Sequence, residues 1–430
     1  MLGIGCAYYN GLYNANQLAG EARKAEREGR RGEAQSLWAQ AAVKAESVAT
    51  RYPDSKHFDD ALLMQGRALS EIGECRDAIA PLRQAVDASA DVALRAEAGL
   101  LLGECHLSLG RVDSAWAILT SLVTHPDSAV ASRAHLWRGR AALARQRPGD
   151  ALADLDRTTE ADAWFDRAEA LTVLGRLRDA STALDSARLM SFDEARWTRV
   201  LANLGAADPS AASRLVDGLL TRDDLTAGEK ARLLMADAQR WQLVDGAHAV
   251  ERFSTAVSVA GDSLKRNVAR AHLAMAEVRR TTDLDRITVL ADEMGELMLE
   301  GGEVVNLAGD FATILDRIVF AVGPPEPIHP DLHLFRSAEE ARDSLLARPL
   351  AARLFLTVAE RYPISVIAPK ALLAAAMVRE EIADSVQGVL RRLYAWSLYT
   401  RAAAGDFIPE YTHIEDSIRT LLNDVIIQTP

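Results

Sequence analysis

The sequence predicts an all-α chain built as a solenoid of stacked helical hairpins, and three observations carry that reading. A spaced pattern, Gly-x6-Gly-x4-Ala-x3-Leu, recurs at near-constant intervals. Short runs such as Tyr-Pro-Asp-Ser and His-Pro-Asp-Ser interrupt the helical periodicity between copies, because proline cannot continue a helix and the small polar residues favour a turn or N-cap. Hydrophobic residues make up 49% of the chain but aromatic residues only 6%, a balance that suits helices packed through Ala and Leu better than a β core.

Residues 49–86 contain one complete unit. Leu62, Gly66 and Leu69, spaced four and three apart, share one face of a first helix that stops near Gly73. Ala78, Leu82 and Ala85 continue the period on a second helix, and the small residues Gly66 and Ala78 sit where two antiparallel helices must approach closely. The set Gly66, Gly73, Ala78, Leu82 returns 37 residues later as Gly103, Gly110, Ala115, Leu119. It returns after a further 36 as Gly139, Ala151, Leu155, with Gln146 in place of the turn glycine, and after 29 more as Ala168, Gly175, Ala180, Leu184. A mid-thirties period with two helices per period resembles the tetratricopeptide repeat (TPR) family. The resemblance implies a TPR-like α-α superhelix whose hairpins bury their apolar faces only by stacking, and whose first helices line a groove for proteins or peptides.

Taken in order, residues 1–14 form an N-terminal segment in which Gly3-Ile4-Gly5-Cys6 resembles the end of a bacterial lipoprotein signal peptide, implying lipidation of Cys6. Lipoproteins usually carry Leu three residues before the cysteine, where this chain has Gly3. Five residues hold neither a basic nor an apolar signal region, so the expectation is a true start upstream; without one, Cys6 is an ordinary cysteine of a cytoplasmic adaptor. Residues 15–300 read as the helical array. Its first hairpin spans Ala15 to Arg51, with Ala34, Trp38 and Ala41 as the second-helix core, and four more run from about Phe58 to Arg188. Past Phe192 the pattern decays, but Asp208-Pro209-Ser210 reads as a turn and N-cap, and Ala249, Phe253 and Ala256 restore the core triplet.

Residues 301–340 read as a Gly/Pro-rich linker, from Gly301-Gly302 through the prolines between Pro324 and Pro330. His329 and His333 fall there and are expected as a loop pair rather than metal ligands. Residues 341–430 form a C-terminal TPR-like segment, because eight of the fifteen residues 49–63 recur at an offset of 310, from Ala359 to Leu373. Tyr394-Ala395-Trp396-Ser397 is a weaker third echo. This Tyr-Pro-x-Ser punctuation resembles outer-membrane assembly lipoproteins of the BamD type and the periplasmic coordinator related to the Tol-Pal system.

A net charge of −12 gives no general electrostatic reason to expect nucleic acid or an anionic membrane as ligand. The chain has no glycine-rich phosphate loop, Gly-x-Ser-x-Gly elbow or His-Glu-x-x-His pair, so no catalytic residue, metal site or cofactor is expected. The three cysteines have no zinc spacing, and Cys75 and Cys105 are expected as unpaired thiols. Groove residues follow from the repeat. Arg23, Arg67, Glu104, Arg140 and Glu169 occupy one first-helix position, a mixed set that points to protein or peptide rather than nucleic acid. Leu63, Leu100, Leu136 and Phe165 hold the fifth place of their repeats, where they either meet an apolar partner segment or pack the superhelix against itself. The resulting expectation is a non-enzymatic scaffold at the bacterial cell envelope, lipid-anchored at the outer membrane and facing the periplasm. Its expected partners are proteins or peptides, among them envelope assembly components.

Overall fold

The computed structural model describes residues 3–190, 192–324, 328–406, 408 and 411–426 and is all-α throughout them. It divides into two compact units, Met1–Leu215 and Val216–Pro430. The first holds α1 (Gly3–Arg27), α2 (Arg31–Arg51), α3 (Phe58–Glu71), α4 (Cys75–Ala88), α5 (Val92–Ser108), α6 (Val112–Thr120), α7 (Ser128–Ala144), α8 (Pro148–Leu155), α9 (Ala163–Val173), α10 (Leu177–Ala187) and α11 (Glu194–Ala207). α12 (Pro209–Leu220) runs through the division, opened by Asp208, whose carboxylate accepts from the Ala211 N–H at 2.9 Å. Helices α1 to α10 form five antiparallel TPR-like hairpins. The expected break between residues 14 and 15 is not an element boundary, since α1 passes through it.

Each hairpin turns in the same way. Gly29, Gly73, Gly110 and Gly175 take φ between 71° and 82°, and the next residue's N–H reaches back to the carbonyl five positions earlier, as in Glu74 to Leu69 at 2.9 Å. Gln146 stands at the fourth turn with φ 58° and makes the equivalent bond through Arg147 to Ala142, also 2.9 Å. The sequence pattern had placed a non-glycine here, and the backbone keeps the left-handed turn in spite of it.

Helix closeness within a hairpin is set by a small residue on the first helix facing a large one sixteen positions later. Gly66 faces Leu82, Gly103 faces Leu119 and Gly139 faces Leu155; the leucines are fully buried. A methyl group built on Gly103 or Gly139 would lie 2.8 Å from its leucine, and one on Gly66 would overlap Leu82 outright. The same spacing relates the buried pairs Ala168 and Leu184 in the fifth hairpin and Ala22 and Trp38 in the first.

One expectation about this unit changes. Cys75, the first residue of α4, and Cys105, near the end of α5, are disulfide-bonded with Cα atoms 4.9 Å apart. The two were expected as unpaired thiols because three cysteines suggest no disulfide framework; stacking of successive hairpins brings them together across thirty residues of sequence. Cys6 lies in the backbone of α1, with its side chain outside the described residues.

The second unit contains α13 (Ala227–Trp241), α14 (Gly246–Val259), α15 (Ser263–Val278), α16 (Leu284–Leu299), α17 (Glu303–Val322), α18 (Pro330–Asp343), α19 (Arg348–Arg361), α20 (Ala368–Val378), a 3-10 turn at Glu380–Ile382, α21 (Ala383–Leu393), α22 (Leu398–Ala403) and α23 (Tyr411–Ile426). Residues 301–340 are not a linker. Gly301 and Gly302 do break the chain, both with positive φ, but α17 and α18 follow and bury Phe311, Leu315, Ile318, Leu334 and Phe335 in the main core of the unit. The prolines mislead because Pro330 sits at the first position of α18, where a missing N–H costs nothing. His329 caps that helix and His333 is buried within it, its ring 5.7 Å from Phe320, so the two are not a loop pair.

The repeated punctuation is one structural device. Tyr52, Tyr362 and Tyr394 end their helices with φ of −134°, −126° and −128°. In each case the serine three residues on donates its N–H to the tyrosine carbonyl, at 3.1, 3.0 and 2.9 Å. α20 therefore corresponds to α3 and α22 opens after the same turn, while α18 is the first helix of the pair it makes with α19.

Two substitutions check the packing and the turn. Gly66→Ala is expected to lower stability by about 1–3 kcal/mol, because the added methyl overlaps the fully buried Leu82. Gln146→Gly is expected to raise stability by about 1 kcal/mol by relieving the left-handed backbone, both read as shifts in denaturant midpoint.

Candidate functional site: the first-helix cleft

Within the first unit each first helix packs both on its own partner and on the next first helix, α1 on α3, α3 on α5, α5 on α7, α7 on α9 and α9 on α11. Side chains at the same position of successive first helices consequently line up on one face. Two clefts open there. One, of about 480 Å³, is lined by Arg23, Leu63, Arg67, Glu71, Leu94, Glu97 and Val130. The other, of about 460 Å³, is lined by Arg140, Asp162, Asp166, Glu169, Arg196 and Arg199 among others. Every residue lining either cleft belongs to a first helix or the turn that opens one.

The predicted charged position is thus on the cleft side: Arg23, Arg67, Arg140 and Glu169 line it. Glu104, half-buried on α5, lies within electrostatic reach of Glu71, Arg133 and Arg140. The apolar position divides. Leu63 lines the first cleft, but Leu100, Leu136 and Phe165 are buried. Leu100 packs with Ala115 and Leu119 of its own second helix and Ala134 of the next hairpin, Leu136 with Ala151 and Leu155, and Phe165 meets Trp197 edge-on at 5.1 Å. The fifth place therefore points between helices, and three of its residues are structural rather than ligand-facing.

A second charged position, seven residues before the first, escaped the sequence reading. Asp60, Glu97, Arg133 and Asp162 stand there, two helical turns from Arg67, Glu104, Arg140 and Glu169 and hence on the same face. Glu97 on α5 accepts from Arg67 of α3 at 3.0 Å and from Arg133 of α7 at 3.0 and 3.2 Å, bridging three first helices. Arg140 donates to Asp166 at 2.8 Å and lies over the Trp137 ring at 4.5 Å. Arg196 of α11 pairs with Asp162 at 2.9 Å and covers the Phe165 ring at 4.6 Å. The signal that could have found these residues is the two-turn repeat, i to i+7, within each first helix.

Electrostatics in the cleft are uneven. Burial, then repulsion from Glu71, raises the pKa of Glu104 above the ordinary glutamate value; burial and repulsion from Glu26 do the same to Glu71. Glu26 itself accepts the Trp38 indole N–H at 2.7 Å. Carboxylates on α1, α3 and α5 thus run as an acidic line flanked by the arginines of α3 and α7.

A raised carboxyl pKa means that the folded chain binds the proton more tightly than the unfolded chain, so this contribution to stability is full at low pH and is lost as pH rises from about 4.3 through the raised value. Glu104→Gln is therefore expected to be more stable than the parent at pH 7, nearly equal at pH 4, and to flatten the curve between. Denaturant unfolding across that range checks this.

No protein-family model and no curated protein sequence matches the chain. Among solved structures it is similar to a tetratricopeptide repeat protein from Parabacteroides merdae, at 14% identity over 62% of this chain and 99% of that one, with a TM-score of 0.39. It is also similar to PH0952 of Pyrococcus horikoshii, a signal-transduction ATPase with a tetratricopeptide repeat sensor, at 13% identity, a TM-score of 0.33 and coverage of 74% and 55%. A third is the P58(IPK) TPR domain, at 14% identity, a TM-score of 0.22 and coverage of 85% and 98%.

Proposed function

We propose that the protein is a non-enzymatic scaffold that holds a protein or peptide segment along the first-helix cleft of its N-terminal unit. The observation that carries this is the set of opposed charges at two positions on successive first helices, where Arg67 and Arg133 meet Glu97 and Arg140 meets Asp162. Each guanidinium has five N–H donors, and the pairs it makes within the cleft leave donors for a ligand's carboxylates or backbone carbonyls. Mixed charge favours an extended polypeptide over a polyanion such as nucleic acid.

We place the protein at the bacterial cell envelope, anchored through a lipid on Cys6 at the outer membrane and facing the periplasm. The Cys75–Cys105 bond supports an oxidising compartment, because such bonds are rare where thiols are kept reduced. The resemblance of Gly3-Ile4-Gly5-Cys6 to a lipidation site supports the anchor. Among the described residues no helix is long and apolar enough to cross a membrane.

Two measurements test these readings. A photocrosslinking residue at position 63 is expected to give a discrete adduct in cells that Arg67→Glu weakens at least fivefold. The same residue at position 83, on α4 away from the cleft, should give none, and equal labelling at both positions would remove the cleft from consideration. Fatty-acid labelling is expected on the parent chain and lost in Cys6→Ser; label that survives the substitution refutes the anchor.

A further inference from the structure

The second unit has the same first-helix face, but there it is covered. α22 is only six residues long, and the helix that follows it, α23, does not complete a hairpin; its principal backbone neighbour is α18. Through its side chains α23 reaches α20 and α22 as well, so it lies across three first helices of the unit. Leu373 on α20, at the offset of 310 from cleft-lining Leu63, is drawn into the core that α23 helps to close. α23 thus occupies in one unit the face that stands open in the other.

Its attachment is light and specific. Ile418 and Leu422 are buried, Ile414 is half-buried, and the other side of the helix, from His413 through Arg419 to Asn423, is exposed. By contrast α19, an ordinary member of the array, buries seven of its fourteen residues. Among the described residues, Glu415 ties the helix to α20 and α22 through polar contacts. Its carboxylate accepts from the Lys370 ammonium of α20 at 2.5 Å and from the Tyr399 hydroxyl of α22 at 2.7 Å. The ammonium sits 5.7 Å from the Phe335 ring of α18 and 5.9 Å from that of Tyr399, a cation held between two aromatic faces. These groups would receive a carboxylate from any helix lying in the groove.

We propose that α18, α20 and α22 form a second binding groove, for an amphipathic helix of a partner protein, and that α23 fills it in cis until displaced. The ligand chemistry is that of α23 itself: a carboxylate seated on Lys370 and Tyr399, with branched apolar residues three and seven positions later, as Ile418 and Leu422 follow Glu415. Tethering gives the cis helix a high effective concentration, so a partner must carry the same groups in better register or arrive when α23 is loosened. The groove uses helices that the N-terminal cleft does not, so either site can fail its test without deciding the other.

The test uses the full chain and a fluorescent synthetic peptide with the sequence of residues 408–426. The parent chain should bind it weakly, and Ile418→Asp with Leu422→Asp, which loosens α23, should bind it at least tenfold more tightly. Adding Lys370→Glu should abolish the gain, and a peptide bearing Glu415→Lys should recover it on that background. Circular dichroism checks folding; if the double variant loses helix elsewhere, Glu415→Gln in the chain replaces it, with a threefold gain expected. A folded, loosened chain that binds the peptide no better than the parent overturns the groove. A parent chain that sediments as a dimer dissociated by the peptide assigns the occupant to a second copy and overturns the partner-helix reading.

Discussion

Everything in the N-terminal unit depends on how closely the two helices of a hairpin approach. That distance is set by a residue without a side chain, or with only a methyl group, opposite a leucine or tryptophan sixteen positions later. A hairpin so closed leaves its outer apolar faces exposed, and only stacking on the next hairpin removes them from water. Stacking then fixes the spacing of the first helices, and that spacing allows Glu97 to meet arginines from the helices on either side. The charge pattern of the cleft is thus a downstream result of a steric choice in the core.

The C-terminal unit shows how the same parts can be used differently. Its tyrosine-serine turns place α20 and α22 as first helices beside α18, but Lys370 stands where the corresponding α3 carries Asp60. An acidic residue at that position joins a mixed cleft, whereas a lysine backed by two aromatic rings selects a carboxylate. One change of charge on a shared scaffold alters what the surface can hold.

Much of this was legible in the sequence because the determinants are local. Turn glycines, Tyr-Pro-x-Ser breaks and sixteen-residue pairs all act within one hairpin, so their spacing survives as a pattern. Even Gln146 could be assigned its place, since its neighbours kept theirs. What could not be read depends on stacking between hairpins. The Cys75–Cys105 bond joins residues of adjacent hairpins, and the fate of Leu100, Leu136 and Phe165 is decided by which neighbour covers them. Residues 301–340 were misjudged for another reason. Prolines concentrated near 324–330 describe only the connection between α17 and α18, and Pro330 starts a helix rather than ending one. Glu97, Arg133 and Asp162 were missed because one position per repeat was followed where the helix offers two.

The sulfur bridge between α4 and α5 has a mechanical consequence. In a linear array, where each hairpin touches only its neighbours, opening proceeds inward from the ends, and every junction is a place where fraying can start or stop. A covalent bond at one junction makes two adjacent hairpins rise and fall as a single block. The stretch from α3 to α6 would then be the last part of the N-terminal unit to lose its order under load. Cutting the bridge with a reductant would turn that firm anchor into an ordinary seam.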